Sequence, residues 1–88
     1  FLYVPYNAVH APLQVPEKYL EPYNDLKGGR RTLAGMLAAV DEGIGQIVAA
    51  LEKSGLRENT LIVFSADNGG PPPGTNTPLR NFKGSIYE

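Results

Sequence analysis

Thr60-Leu61-Ile62-Val63-Phe64-Ser65, running on into Ala66-Asp67-Asn68-Gly69-Gly70, is the stretch on which the expected fold of this chain turns. The first part is rich in β-branched and aromatic residues and apolar without alternation, the pattern of a strand covered on both faces. The character then changes at once. Asp67-Asn68-Gly69-Gly70-Pro71-Pro72-Pro73-Gly74 holds too much glycine and proline for a helix or a central strand, so a loop is expected there. Upstream, Leu33, Met36, Leu37, Val40, Ile44, Ile47, Val48 and Leu51 recur at spacings of three, four and one. They form one stripe of an amphipathic helix from about Arg30 to Ser54. Gly28-Gly29 precede it. Gly55 follows Lys53-Ser54 in the place of a left-handed terminator, with a basic side chain in the last turn as the helix dipole prefers. Gly35, Gly43 and Gly45 each cost up to about 1 kcal/mol against alanine in a helix interior. Close packing against a sheet is the expected compensation.

Phe1-Leu2-Tyr3-Val4-Pro5-Tyr6 is a second run with the buried-strand pattern. Pro5 cannot donate to a ladder and belongs near the strand's end, with Asn7 to Pro12 as the following loop. Val15 to Tyr23, broken by Pro16 and Pro22, reads as a surface connection with room for one helical turn. The order strand, long helix, strand predicts an α/β fold in which residues near 1–6 and 60–66 are parallel neighbours joined by a right-handed crossover.

The 88 residues are 42% hydrophobic and lack a long low-complexity tract, the composition of a folded domain. A domain this small hides only about 60% of the surface that its unfolded chain exposes. Without cysteine there is no disulfide to add stability. A formal charge of -1 with interspersed signs gives no electrostatic footprint for nucleic acid or an anionic membrane. The longest uninterrupted apolar run is far short of the roughly 20 residues of a membrane helix, so no span is expected. The start on Phe1-Leu2-Tyr3-Val4 and the stop at Tyr87-Glu88, without a helix cap or polar tail, read as cuts through a larger domain.

Parallel strands of one sheet end at the same edge, where ligands of open α/β folds bind. Asn7-Ala8-Val9-His10 follows the first expected strand and Ser65-Ala66-Asp67-Asn68 the second, so topology is expected to deliver the sole histidine and a carboxylate-carboxamide pair to one place. Asp67 and Asn68 offer oxygen ligands of the kind that Ca²⁺ or Mg²⁺ prefers. Asp-Asn-Gly-Gly after a strand is equally the chemistry of a plain turn. His10, before Ala11-Pro12, suits either a site or a hydrogen bond to a loop carbonyl. Lys83, within Pro78-Leu79-Arg80-Asn81-Phe82-Lys83-Gly84, either presents a fixed charge to an anionic substrate or is a surface lysine. Arg80 either pairs with a site carboxylate or is solvated. Asp41-Glu42, in mid-helix, reads as structural.

Four blocks occur in order: Phe1 to Pro12, Val40-Asp41-Glu42-Gly43-Ile44-Gly45, Phe64-Ser65-Ala66-Asp67-Asn68-Gly69-Gly70, and Pro78 to Gly84. Together they closely resemble the arylsulfatase family over nearly the whole chain. The resemblance implies an alkaline-phosphatase-like α/β fold, with residues 1–88 forming part of a sulfatase catalytic domain truncated at both ends. It also implies a calcium ion, rather than magnesium, at the carboxyl edge of the sheet. By matching motifs, Asp67 and Asn68 correspond to two metal ligands. His10 corresponds to the histidine that contacts the sulfate and its bridging oxygen, and Lys83 to the lysine on the sulfate. The implied function is hydrolysis of aryl or carbohydrate sulfate esters in an extracytoplasmic setting, whether periplasmic, secreted or lysosomal.

The family's nucleophile is a formylglycine made from Cys or Ser in a motif of Cys or Ser, any residue, Pro, any residue, Arg. No such motif occurs here: cysteine is absent, and none of Ser54, Ser65 or Ser85 has proline two residues on. The consecutive pair of metal-binding aspartates is missing as well. The chain is thus expected to carry half a site, with the formylglycine in a segment outside it. Two other readings stand beside this one, a phosphonate or phosphate ester hydrolase of the same superfamily and a non-catalytic, degenerate binding module.

Overall fold

The computed structural model describes residues 1–86, so the expected stop at Tyr87-Glu88 lies outside the described residues. One helix organises them. Helix α1 runs Gly28–Lys53, beginning two residues before the expected start. Its end is closed as the sequence predicts. Gly55 has φ of +68°, its N–H donates to the Glu52 carbonyl at 3.0 Å, and the Leu56 N–H donates to the Leu51 carbonyl at 2.9 Å. That pair of bonds satisfies carbonyls that the helix leaves open, and it needs a left-handed residue without a Cβ.

Val15 to Asn24, expected as a mere connection, is what lies against α1. Two single 3₁₀ turns, Glu17–Tyr19 and Glu21–Tyr23, carry it across the helix. Arg31 fastens it. Its guanidinium donates to the Leu20 carbonyl at 3.3 and 3.2 Å and to Asn24 Oδ1 at 2.8 Å, and it lies 3.7 Å from a Glu17 carboxylate oxygen. Farther along, Lys18 Nζ reaches the Glu42 carboxylate at 3.3 Å and sits 4.4 Å from the centre of the Tyr19 ring. The Tyr19 hydroxyl first, and Lys18 second, hold the Glu42 carboxyl below its ordinary range. Glu42 is structural, as its mid-helix place implies.

The strands are where expectation and structure part. Among the described residues none is in a strand, and neither 1–6 nor 60–66 joins a hydrogen-bonded ladder. Leu61, Val63 and Phe64 are 89%, 79% and 72% exposed. The parallel strand-helix-strand unit is therefore not formed by these residues. Its physical reason lies in the pattern itself: runs apolar on both faces are stable as strands only when both faces and both edges are covered. One helix covers at most one face, and the chain carries no third strand pattern to supply an edge. Met36 and Val40 are the only buried apolar residues among those described.

The glycines of α1 correct a related expectation, because what they accommodate is not a sheet. A Cβ on Gly35 would stand 3.0 Å from Val15, from the Tyr19 carbonyl and from Leu20, while one on Gly43 would stand 2.8 Å from the Tyr6 hydroxyl. A Cβ on Gly45 meets nothing within 4 Å. Gly45→Ala is therefore expected to stabilise the helix by up to about 1 kcal/mol. Gly35→Ala should lower stability, since three neighbours must give way. Thermal midpoints followed by circular dichroism check the pair; equal shifts in both variants would contradict the packing.

By length and composition alone α1 is apolar enough to cross a membrane, which does not overturn the expectation of no span. Core helices of water-soluble domains pass the same test. Asp41 at mid-helix would cost about 2.5–3.5 kcal/mol at a bilayer centre.

Candidate functional site

Past Ser65 the chain folds on itself through a set of loops built by turn chemistry. The Gly74 N–H donates to the Pro71 carbonyl at 2.9 Å, Leu79 to Asn76 at 2.7 Å and Ser85 to Phe82 at 3.0 Å, three successive tight turns. Asn81 takes the left-handed conformation with φ of 67°, a region that asparagine tolerates better than most residues. The proline-rich segment is docked on the first turns of α1. Arg30 Nη1 donates to the Pro73 carbonyl at 3.0 Å, and a Cβ on Gly29 would touch Pro73 Cγ at 3.2 Å.

The folded loops enclose an open cavity of about 490 Å³, whose lining includes Asp67, Asn68, Asn76, Arg80 and Lys83. Three residues singled out in the sequence thus share one cavity. Arg80, left between two readings there, is on its wall as well. The carboxamide of Asn68 donates to Asp67 Oδ2, so the two side chains are already turned toward each other. Among the described residues one carboxylate and two cations make the lining net positive, which suits an oxyanion. Backbones approach closely here: a Cβ on Gly69 would lie 3.3 Å from the Lys83 amide nitrogen and 2.7 Å from Asn76 Nδ2.

His10 is not part of this lining. Its ring is exposed, and Nδ1 lies 2.9 Å from the Ala11 carbonyl oxygen, an acceptor, so Nδ1 carries the proton. Asp67 and Asn68 bring hard oxygen donors, the type that calcium takes, but only two of the roughly six to eight ligands it fills. Among the described residues no group of three or more His, Cys, Asp or Glu side chains gathers to complete a shell. The donor set therefore fits a partial calcium site.

Asn76 was not legible as a site residue. Its Oδ1 accepts from the Gly70 N–H at 2.9 Å, and its Nδ2 donates to the Asn81 carbonyl at 3.0 Å. An asparagine between threonines after a proline run carries no pattern beyond that of a loop.

Oxygen donors and cationic side chains thus share one cavity, on loops that follow an apolar strand pattern and a long helix, a combination that suits an oxyanion. Comparison with known proteins makes this specific. The sulfatase family model matches residues 1–88, and the chain belongs to that family. It is 46% identical over 91 residues to arylsulfatase J of Mus musculus, all of this chain against 15% of that protein. It is 33% identical over 102 residues to a sulfatase of Formosa agariphila, again all of the chain and 18% of the relative. Arylsulfatase A of Homo sapiens is 31% identical over 93 residues, with 17% of its length matched. The chain therefore spans under a fifth of the curated relatives it matches. Family membership carries with it the alkaline-phosphatase-like α/β fold and a general use of calcium and formylglycine.

Proposed function

We propose that the full-length protein is a calcium-dependent sulfuric ester hydrolase of the arylsulfatase kind, acting on an aryl or carbohydrate sulfate, and that this chain supplies part of its active site. The observation that supports it is the joint lining of one cavity by Asp67, Asn68 and Lys83. In this reading Asp67 and Asn68 are two of the calcium ligands. Calcium supplies charge stabilisation at the sulfate oxygens, and formylglycine, from outside residues 1–88, supplies the nucleophile. Lys83, which lines the same cavity, places an ammonium on the sulfate. His10 serves the bridging oxygen. With Nδ1–H engaged by the Ala11 carbonyl, its Nε2 delivers a proton to the departing alcohol only from the imidazolium form. His10 joins the other three when residues 1–6 and 60–66 pair as parallel strands within the complete sheet. An extracytoplasmic location accords with the kind of enzyme proposed.

Residues 1–88 expressed alone are expected to hydrolyse no chromogenic aryl sulfate with calcium present, because no group among them attacks sulfur. Calcium binding by the same chain should be weak, since most of the shell is missing. The full-length protein should turn the substrate over. Turnover by the isolated chain would contradict the divided site, whereas a full-length protein that cleaves only phosphate or phosphonate esters would contradict the sulfatase assignment itself.

A further inference from the structure

One side chain bridges the Asp67-Asn68 loop and the segment that leads to Lys83. Asn76 sits between the two segments and binds the backbone of each, accepting from Gly70 N–H at 2.9 Å and donating to the Asn81 carbonyl at 3.0 Å. Gly70 lies two residues after Asn68, and Asn81 two before Lys83. The space for this arrangement is tight, as a Cβ on Gly69 would meet Asn76 Nδ2 at 2.7 Å and the Lys83 amide nitrogen at 3.3 Å. The segment leading into Asn76 is itself anchored, through Pro73 and Arg30, to α1. We infer that Asn76 is a positioning residue for the proposed reaction: its carboxamide holds the calcium ligands and the Lys83 ammonium at the spacing that a single sulfate group spans.

An asparagine suits this task chemically. A carboxamide has a donor and an acceptor on a short stem, so one residue closes two loops without adding charge to a cavity in which charge does the chemistry. Aspartate at the same place keeps the acceptor for Gly70 but has no donor for the Asn81 carbonyl. Alanine loses both bonds. The inference rests on the sulfatase reading of the cavity, and the test separates the two.

In the full-length protein, Asn76→Ala is expected to lower kcat/KM for a chromogenic aryl sulfate by about 10–100-fold and to weaken calcium affinity, measured by titration calorimetry, by about tenfold, the range for residues that orient metal ligands. Asn76→Asp should retain Gly70 amide protection in hydrogen exchange, while Asn76→Ala loses it. In a Lys83→Ala background the kcat loss from Asn76→Ala should shrink at least about threefold, because no ammonium remains to be placed. A purely structural role predicts a lower melting midpoint with equal losses in both backgrounds, which would overturn the inference. So would wild-type kinetics and calcium affinity in Asn76→Ala while the unsubstituted protein is active. If the unsubstituted protein itself neither binds calcium nor cleaves the sulfate ester, the reading of the cavity fails and the positioning role falls with it.

Discussion

Asp67→Ala in the full-length protein is expected to lower kcat/KM for an aryl sulfate by about 10³-fold or more, equivalent to roughly 4 kcal/mol of lost transition-state stabilisation. Among the described residues Asp67 is the one carboxylate that lines the cavity, which it shares with Arg80, Lys83 and the Asn68 carboxamide. Its removal takes an anionic ligand from the proposed calcium shell and leaves the Asn68 amide without its acceptor. The fold should not suffer. Asp67 is exposed, and substitutions at such positions usually change stability by no more than about 0.5 kcal/mol. An unchanged melting midpoint with lost activity would therefore locate the defect in the site. Asp67→Asn, which keeps the shape and one oxygen but not the charge, should recover part of the rate at high calcium. Full activity in Asp67→Ala at micromolar calcium would sink the assignment of this residue as a ligand.

Lys83→Ala is expected to cost about 10²–10³-fold in kcat, the loss seen when one preorganised group is withdrawn from a developing oxyanion. The effect differs from that of Asp67, since Lys83 stands on the other loop and its proposed partner is the substrate rather than the metal. Calcium affinity should therefore stay within about threefold of the unsubstituted protein, since no ligand is removed, while kcat falls. Lys83→Arg restores the positive charge but with a planar fork in place of a compact ammonium, so partial recovery is expected. A Lys83→Ala variant with unchanged kcat and raised KM would show that the residue only gathers substrate.

Particular residues show how much was legible before the fold was known. The α1 terminator at Gly55 and the stripe from Leu33 to Leu51 depend on neighbours within a turn or two, so spacing alone identifies them. The turn chemistry of residues 67–74 is local in the same way. The expected strands do not form among the described residues, for the opposite reason. A strand is defined by its partners, and Phe1 to Tyr6 and Thr60 to Ser65 find none among the described residues. The segment Val15 to Asn24 was undervalued because its hold on α1 is made by Arg31, Lys18 and backbone carbonyls rather than by a periodic apolar face.

By itself the sequence determined the long helix and its cap, the loop that follows residue 66, and through four ordered blocks the membership in the sulfatase family. Each of these is carried by residues adjacent in the chain, where hydrogen bonding and steric preference act without reference to distant partners. Only the tertiary structure decided which loops meet. It brought Asp67 and Asn68 to the same cavity as Lys83, put Asn76 between them, and left His10 outside their circle with its ring on the Ala11 carbonyl. Those relations rest on a few directional bonds between segments apart in the chain, such as Gly70 to Asn76 and Arg30 to Pro73, and bonds of that kind leave no period in a sequence.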